Sequence, residues 1–137
     1  MDANTVRELP LFEGLPEEVV DDCARRFEEL ELLAGTGLAR EGDFAYKFFV
    51  VLDGEVEVQR DFTHVATLGP GDFFGEMGVL AGGRRNARVV ATTRCRVGWM
   101  TAWAFESMLE DHPEVARRID AVVAERMSTV PDAPTDD

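Results

Sequence analysis

The sequence runs to 137 residues with 45% hydrophobic content, which fits one domain with a modest core. Its 27 acidic residues outweigh 14 basic ones, a formal net charge of -13. Binding a polyanion needs clustered cations to displace counterions, so this balance argues against a nucleic-acid surface, and equally against an anionic membrane surface. Cys23 and Cys95 sit in apolar periodic segments and read as buried thiols of a reducing compartment. No secretory signal, transmembrane span or lipidation motif is visible, and the expected location is cytoplasmic.

Residues 1–8 read as a short polar lead. Leu9, Leu11, Phe12 and Leu15 form an apolar knot ahead of Pro16, which suits a first helical position. Glu17 and Glu18 follow where negative charge favours the helix dipole, and Val19, Val20, Cys23, Ala24 and Phe27 recur at helical spacing. From Leu30 the period changes to two, with glycine-bearing turns at Ala34-Gly35, Glu41-Gly42-Asp43 and Asp53-Gly54. Phe48 to Leu52 is an unbroken apolar run, suited to a strand buried on both faces. Val56 and Val58 alternate with charges, and Asp61 to His64 makes a tight connection into Val65–Leu68. Short strands at this spacing predict a sandwich or jelly roll.

A Gly69-Pro70-Gly71 turn then leads through Asp72-Phe73-Phe74, read as a strand, into Gly75-Glu76-Met77-Gly78. Arg84-Arg85-Asn86-Ala87 and an apolar strand through Ala91 follow, and Cys95, Val97 and Trp99 share one face of another strand. Helical period returns with Ala102, Phe105, Met108 and Leu109 and breaks at His112-Pro113. Pro113 can start a last helix through Val115, Ile119, Val122, Val123 and Met127. Trp99 and Trp103 read as core anchors. Residues 131–137, with two prolines and three aspartates, read as a disordered tail.

The 69–91 stretch holds the densest chemistry in the chain. Glycines at 75 and 78 leave backbone N–H groups uncovered, and a short helix starting there would aim its positive end outward. Such a nest suits a phosphate, and Arg85 adds a planar, permanently charged fork. Glu76 would repel a phosphate but can accept hydrogen bonds from sugar hydroxyls. Singly, Glu76 reads as an acid near a helix start and Arg85 as a solvated charge. Together, between these glycines and within a sandwich pattern, they read as a binding site.

Phe74-Gly75-Glu76-Met77-Gly78 followed by Arg85-Asn86-Ala87 resembles the phosphate-binding cassette of the cyclic nucleotide-binding domain family. Its members are the regulatory modules of cAMP-dependent kinases, bacterial cAMP receptor proteins and gated channels. The likeness runs from Leu11-Phe12-Glu13-Gly14-Leu15 to the last helix. It implies a mainly β fold with flanking helices: an eight-stranded β-sandwich or jelly roll with an N-terminal helix, a short cassette helix and C-terminal helices. The domain would span 9–130, with its cassette at 71–91 and its C-terminal helices at 102–130.

The resemblance also implies a ligand, cAMP or else cGMP. Its ribose would sit on Glu76, and its phosphate on Arg85 and on the N–H groups around Gly75, Met77, Gly78 and Ala87. The C-terminal helix would cover the base, with Arg126, Met127, Ser128 and Thr129 as candidates. Gly78 stands where Ala or Ser is usual, Asn86 where Ala, Ser or Thr is usual, and Arg88 where Thr is common; Asn86 bears on the choice of base. Output would pass to a separate effector protein or through self-association, including a homodimer through the C-terminal helix. The competing expectation is a family fold with an empty pocket that serves as a protein interaction module. An enzyme is not expected: His64 and His112 are too few for a cupin-like metal, and no Ser-His-Asp, Cys-His or Walker-type signature is present.

Overall fold

A computed structural model describes residues 1–39, 47–75 and 88–129, with the backbone alone for residue 39 and for 126–129. Three short helical pieces come first: α1 (Ala3–Arg7), a 3-10 turn (Pro10–Phe12) and α2 (Glu17–Arg26). Eight strands follow: β1 (Glu28–Leu32), β2 (Gly37–Ala39), β3 (Lys47–Asp53), β4 (Val56–Arg60), β5 (Thr63–Leu68), β6 (Phe73–Phe74), β7 (Arg88–Ala91) and β8 (Cys95–Thr101). The described chain closes with α3 (Ala102–Asp111) and α4 (Pro113–Thr129). The strands form two antiparallel four-stranded sheets, ordered β1-β8-β3-β6 and β2-β7-β4-β5. This is the mainly β sandwich with flanking helices that the resemblance implied.

Its centre is β3. Alternate residues of a strand face opposite ways, so Phe48 and Val50 enter the core beneath the helices while Phe49 and Val51 enter the core between the sheets. All four are buried. Phe48 stacks on Phe105 of α3 at 4.3 Å between ring centroids, and Phe49 stacks on Phe74 of β6 at 4.8 Å. The apolar run was therefore legible as a strand covered on both faces.

Residues 1–8, polar by composition, contain α1. Asp2 caps that helix by accepting from the Asn4 N–H, and Val6 is fully buried. The terminal ammonium donates to the carbonyls of Ala24 (3.1 Å) and Phe27 (3.0 Å), where α2 ends and its dipole is negative. One buried valine carries too little periodicity to announce this helix. Trp103 corrects a second expectation: it is 74% exposed. Phe105 and Met108 supply the buried face of α3, and a residue two positions before Phe105 lies round the other side of the helix. Trp99 is half-buried beside the inter-sheet core, with the Lys47 ammonium 4.6 Å above its ring.

A cluster of charged groups fastens the helices together. The Asp22 carboxylate on α2 accepts from Arg26 (2.8 Å) and lies 2.7 Å from His112 Nε2, between α3 and α4. The hydrogen bond from His112, then that from Arg26, hold the Asp22 carboxyl below its usual range against the opposing effect of burial. Folded Asp22 therefore resists protonation more than unfolded Asp22 does. Its contribution is complete at neutral pH and is lost as pH falls below the ordinary Asp range, about 4. The urea stability gap between wild type and Asp22→Asn should shrink from neutral pH to about pH 3, and a constant gap would contradict this assignment.

The β4–β5 hairpin closes through Asp61 and Phe62, both at positive φ (54° and 62°), with Arg60 paired to Thr63. That is a type I′ turn, which favours Gly at its second position. Phe62 is 82% exposed, so little burial offsets its left-handed backbone. Phe62→Gly should raise unfolding stability by about 0.5–1 kcal/mol in urea denaturation, and a loss of that size would show the exposed ring to be stabilising.

Candidate functional site

The segment that carries the predicted site leaves one sheet and joins the other. β6 pairs with β3 at the edge of the first sheet, Phe49 opposite Phe74 and Val50 opposite Phe73. The turn ahead of it is closed on itself: the Gly69 N–H donates to the Asp72 carboxylate (2.9 Å) and the Asp72 N–H to the Gly69 carbonyl (3.0 Å). It is also tied to β3, the Gly71 N–H donating to the Val51 carbonyl and the Val51 N–H to the Asp72 carbonyl, each at 2.8 Å. Gly71 has φ +93°, and a Cβ there would lie 2.9 Å from Pro10 Cδ, so the Pro10–Phe12 turn rests directly on this lead-in.

After Phe74 the chain turns at Gly75, whose φ is +94°. A left-handed residue ends the strand and redirects the backbone, as a nest entrance requires. On the far side Arg88 begins β7 inside the second sheet, paired with Gln59, and Val89 and Ala91 point into the inter-sheet core. Packed sheets lie about 10 Å apart, and residues 76–87 join one to the other. Of the predicted ligand-binding residues, Gly75 falls among those described. Glu76, Met77, Gly78, Arg85, Asn86 and Ala87 lie outside the described residues. Arg126, Ser128 and Thr129 lie on the last turns of α4, where the backbone alone is described.

The surrounding charges sort by face. Arg88 alternates with the buried Val89 and so faces outward, its guanidinium 5.6 Å above the Phe62 ring. On the second sheet Glu57 accepts from Gln59 (2.7 Å) and meets His64 Nδ1 at 2.7 Å; these bonds, that from Gln59 first, hold its carboxyl below the usual range. Arg96 of β8 pairs with Glu29 of β1 at 2.8 Å, and Arg94, just ahead of β8, with Glu31 at 3.5 Å. Among the described residues no group of three or more His, Cys, Asp or Glu could hold a metal ion. Nor is any helix there long and apolar enough to cross a membrane. The contact of Pro10 with Gly71 had no signal in the sequence, since neither residue advertises a distant partner.

A family model, "Cyclic nucleotide-binding domain", matches residues 29–112. That match takes in both sheets and the whole connection between them. The chain belongs to the cyclic nucleotide-binding domain family. A cyclic nucleotide-gated potassium channel from Rhizobium etli is 30% identical over 126 residues, which is 92% of this chain and 35% of the channel. Among solved structures, the catabolite activator protein of Thermus thermophilus superposes with a TM-score of 0.80 at 30% identity, over 87% of this chain and 58% of that one. The regulatory subunit of a cAMP-independent protein kinase A from Trypanosoma brucei superposes with a TM-score of 0.77 at 28% identity, over 94% of this chain and 46% of that one. The chain thus spans about a third of the channel's length and about half of each of these solved chains.

Pro10 packs against the turn that leads into β6 and Gly75. Gly71→Ala should destabilise the fold by about 2–4 kcal/mol, combining left-handed strain with overlap on a rigid ring. Repeating it in a Pro10→Ala background should recover at least about 0.5 kcal/mol of that loss. Strictly additive costs in urea denaturation would show that the two residues do not meet.

Proposed function

We propose that the chain is a regulatory receptor for a cyclic nucleotide, cAMP in preference to cGMP. The observation that carries this reading is the family match across 29–112, which includes Glu76 and Arg85 on a connection whose ends, Gly75 and Arg88, are anchored in different sheets. Arg85 supplies the fixed positive charge for the cyclic phosphate, beside backbone N–H groups at Gly75, Met77, Gly78 and Ala87. Glu76 accepts from the ribose hydroxyl. Arg126, Ser128 and Thr129 meet the base from the end of α4, and Asn86 supplies an amide with both a donor and an acceptor. In a chain of net charge -13, the anionic ligand has to be neutralised locally, and Arg85 is the charge this reading assigns to it.

The module works by binding and not by catalysis, in the cytoplasm, without nucleic acid or a membrane surface as partner. Its output goes to a separate effector protein or into self-association. Val115 and Ile119 are fully buried in the core that the chain's own helices share, so a homodimer through α4 would use that helix's other faces. Ligand binding that favours one position of α4 would supply the signal.

A second reading, an empty pocket serving as an interaction module, is favoured by one observation. The trypanosomal neighbour at 28% identity is described as cAMP-independent, so the fold does not by itself fix the ligand. Calorimetry separates the two readings. Binding of cAMP should be micromolar or tighter, about 8 kcal/mol, and about tenfold tighter than cGMP. Arg85→Ala should cost about 2–4 kcal/mol of that affinity, and Glu76→Gln less, because the amide oxygen still accepts. Equal affinity in wild type and Arg85→Ala would remove Arg85 from the site, and no heat with either nucleotide at millimolar concentration would leave the second reading.

A further inference from the structure

The direction of α4 is set at one residue. His112 has φ -132° and ψ 78°, outside the helical region, and it separates α3 from α4. Its N–H donates to the Met108 carbonyl (2.9 Å) and closes α3; its carbonyl accepts from Val115 (3.0 Å) and Ala116 (3.2 Å) and opens α4. Its side chain is 14% exposed, and Nε2 lies 2.7 Å from Asp22 Oδ2. A carboxylate only accepts, so Nε2 carries the hydrogen. The same oxygen takes Arg26 Nε (3.1 Å) and Nη2 (2.8 Å). Arg26 reaches on to Asp111 Oδ2 (2.6 Å) and Ser107 Oγ (3.1 Å) on α3. One carboxylate oxygen therefore joins α2, α3 and the start of α4. Arg25 lies 3.3 Å from the other oxygen, and Glu114 is in the first turn of α4.

Further along α4, Arg118 Nη1 donates to the carbonyls of Leu11 (3.1 Å) and Glu13 (2.7 Å). Leu11 is inside, and Glu13 directly after, the same turn whose Pro10 rests on Gly71, four residues before Gly75. A physical path of contacts thus runs from α4 through that turn to the strand that delivers the cassette.

We propose that Asp22 is a latch on a hinge at His112, holding the start of α4 against α2 and thereby setting how strongly cassette occupancy is felt by α4. The second half of this inference rests on the proposed function; the first does not. If His112 leaves, Arg26 still partners Asp22 and Asp111, so the acceptor stays in place for the latch to close again. A carboxylate held by an arginine on its own helix, and by one side chain across the hinge, suits a device with two positions.

Amide hydrogen exchange on the whole chain without nucleotide tests the latch, using Asp22→Ala, which removes the acceptor, with His112→Leu and His112→Gln. In Asp22→Ala and His112→Leu, amides of 115–125 should exchange roughly tenfold faster or more, while those of β3 and β8 change by less than about twofold. His112→Gln keeps a donor and should stay near wild type. Equal acceleration everywhere, unchanged exchange in α4, or Gln behaving like Leu would overturn the latch. Calorimetry with cAMP then tests the coupling. If cAMP slows exchange in wild-type α4, Asp22→Ala should bind it at least about threefold more weakly; if cAMP speeds that exchange, it should bind correspondingly more tightly. Unchanged affinity, or unchanged α4 exchange on binding, would overturn the coupling. No binding by wild type would remove the proposed function and the coupling with it, while exchange would still decide the latch.

Discussion

Phe48 and Phe49 are neighbours in the chain and belong to different cores, and the placement of the other elements follows from that division. Phe48 and Val50 make one face of β3 the floor on which α1, α2, α3 and α4 gather. Phe49 and Val51 make the other face half of the sandwich interior. Because a one-residue slip would exchange the two faces, the register of β3 is strongly specified, and so are those of β8 and β6 on either side of it. Burial of Phe48 to Val51 leaves no room for a polar substitution at these four positions without an unpaired group inside one core or the other.

The placement of the candidate site descends from that register. β6 is two residues long and has little stability of its own; it is held by the ladder to β3, by the Phe49–Phe74 stack and by Phe73 against Phe48. Gly75 is thus delivered to a defined place at the edge of one sheet, and Arg88 to a defined place inside the other. A connection whose ends are fixed by a packed scaffold can be chemically specialised without endangering the fold, the usual division of labour between scaffold and site. The helical side is fixed to the same strand, and Pro10 on Gly71 carries that side to the base of β6. The candidate site and the helices therefore have a material connection that bypasses the sandwich interior.

Much of this was legible in the sequence because it is written in local pattern. The unbroken run from Phe48 to Leu52 predicted a doubly buried strand, and the change from helical to alternating period at Leu30 predicted the sandwich. The cassette motif led to the family, and the family to the eight strands. Besides the contact of Pro10 with Gly71, three features were not legible, each for a physical reason. α1 is anchored by one valine and a terminal ammonium, too little to make a period. Trp103 was read by residue type, whereas its place on α3 is decided by which face Phe105 and Met108 occupy. Asp22, Arg26 and His112 each look like ordinary surface residues until the fold brings α2 beside the α3–α4 junction, because pairing across long stretches of chain leaves no local trace. Of the site itself, the motif was readable and the left-handed turn at Gly75 agrees with it.

The central claim is that a cyclic nucleotide binds on the connection between β6 and β7. Amide chemical shifts followed through a cAMP titration of isotope-labelled protein test it most directly. The account predicts saturable changes that are largest at Gly75, through 76–87 and at Arg88, with smaller ones in β6 and α4. Saturable changes centred instead on the Asp61–Phe62 hairpin, or none at millimolar nucleotide, would contradict it.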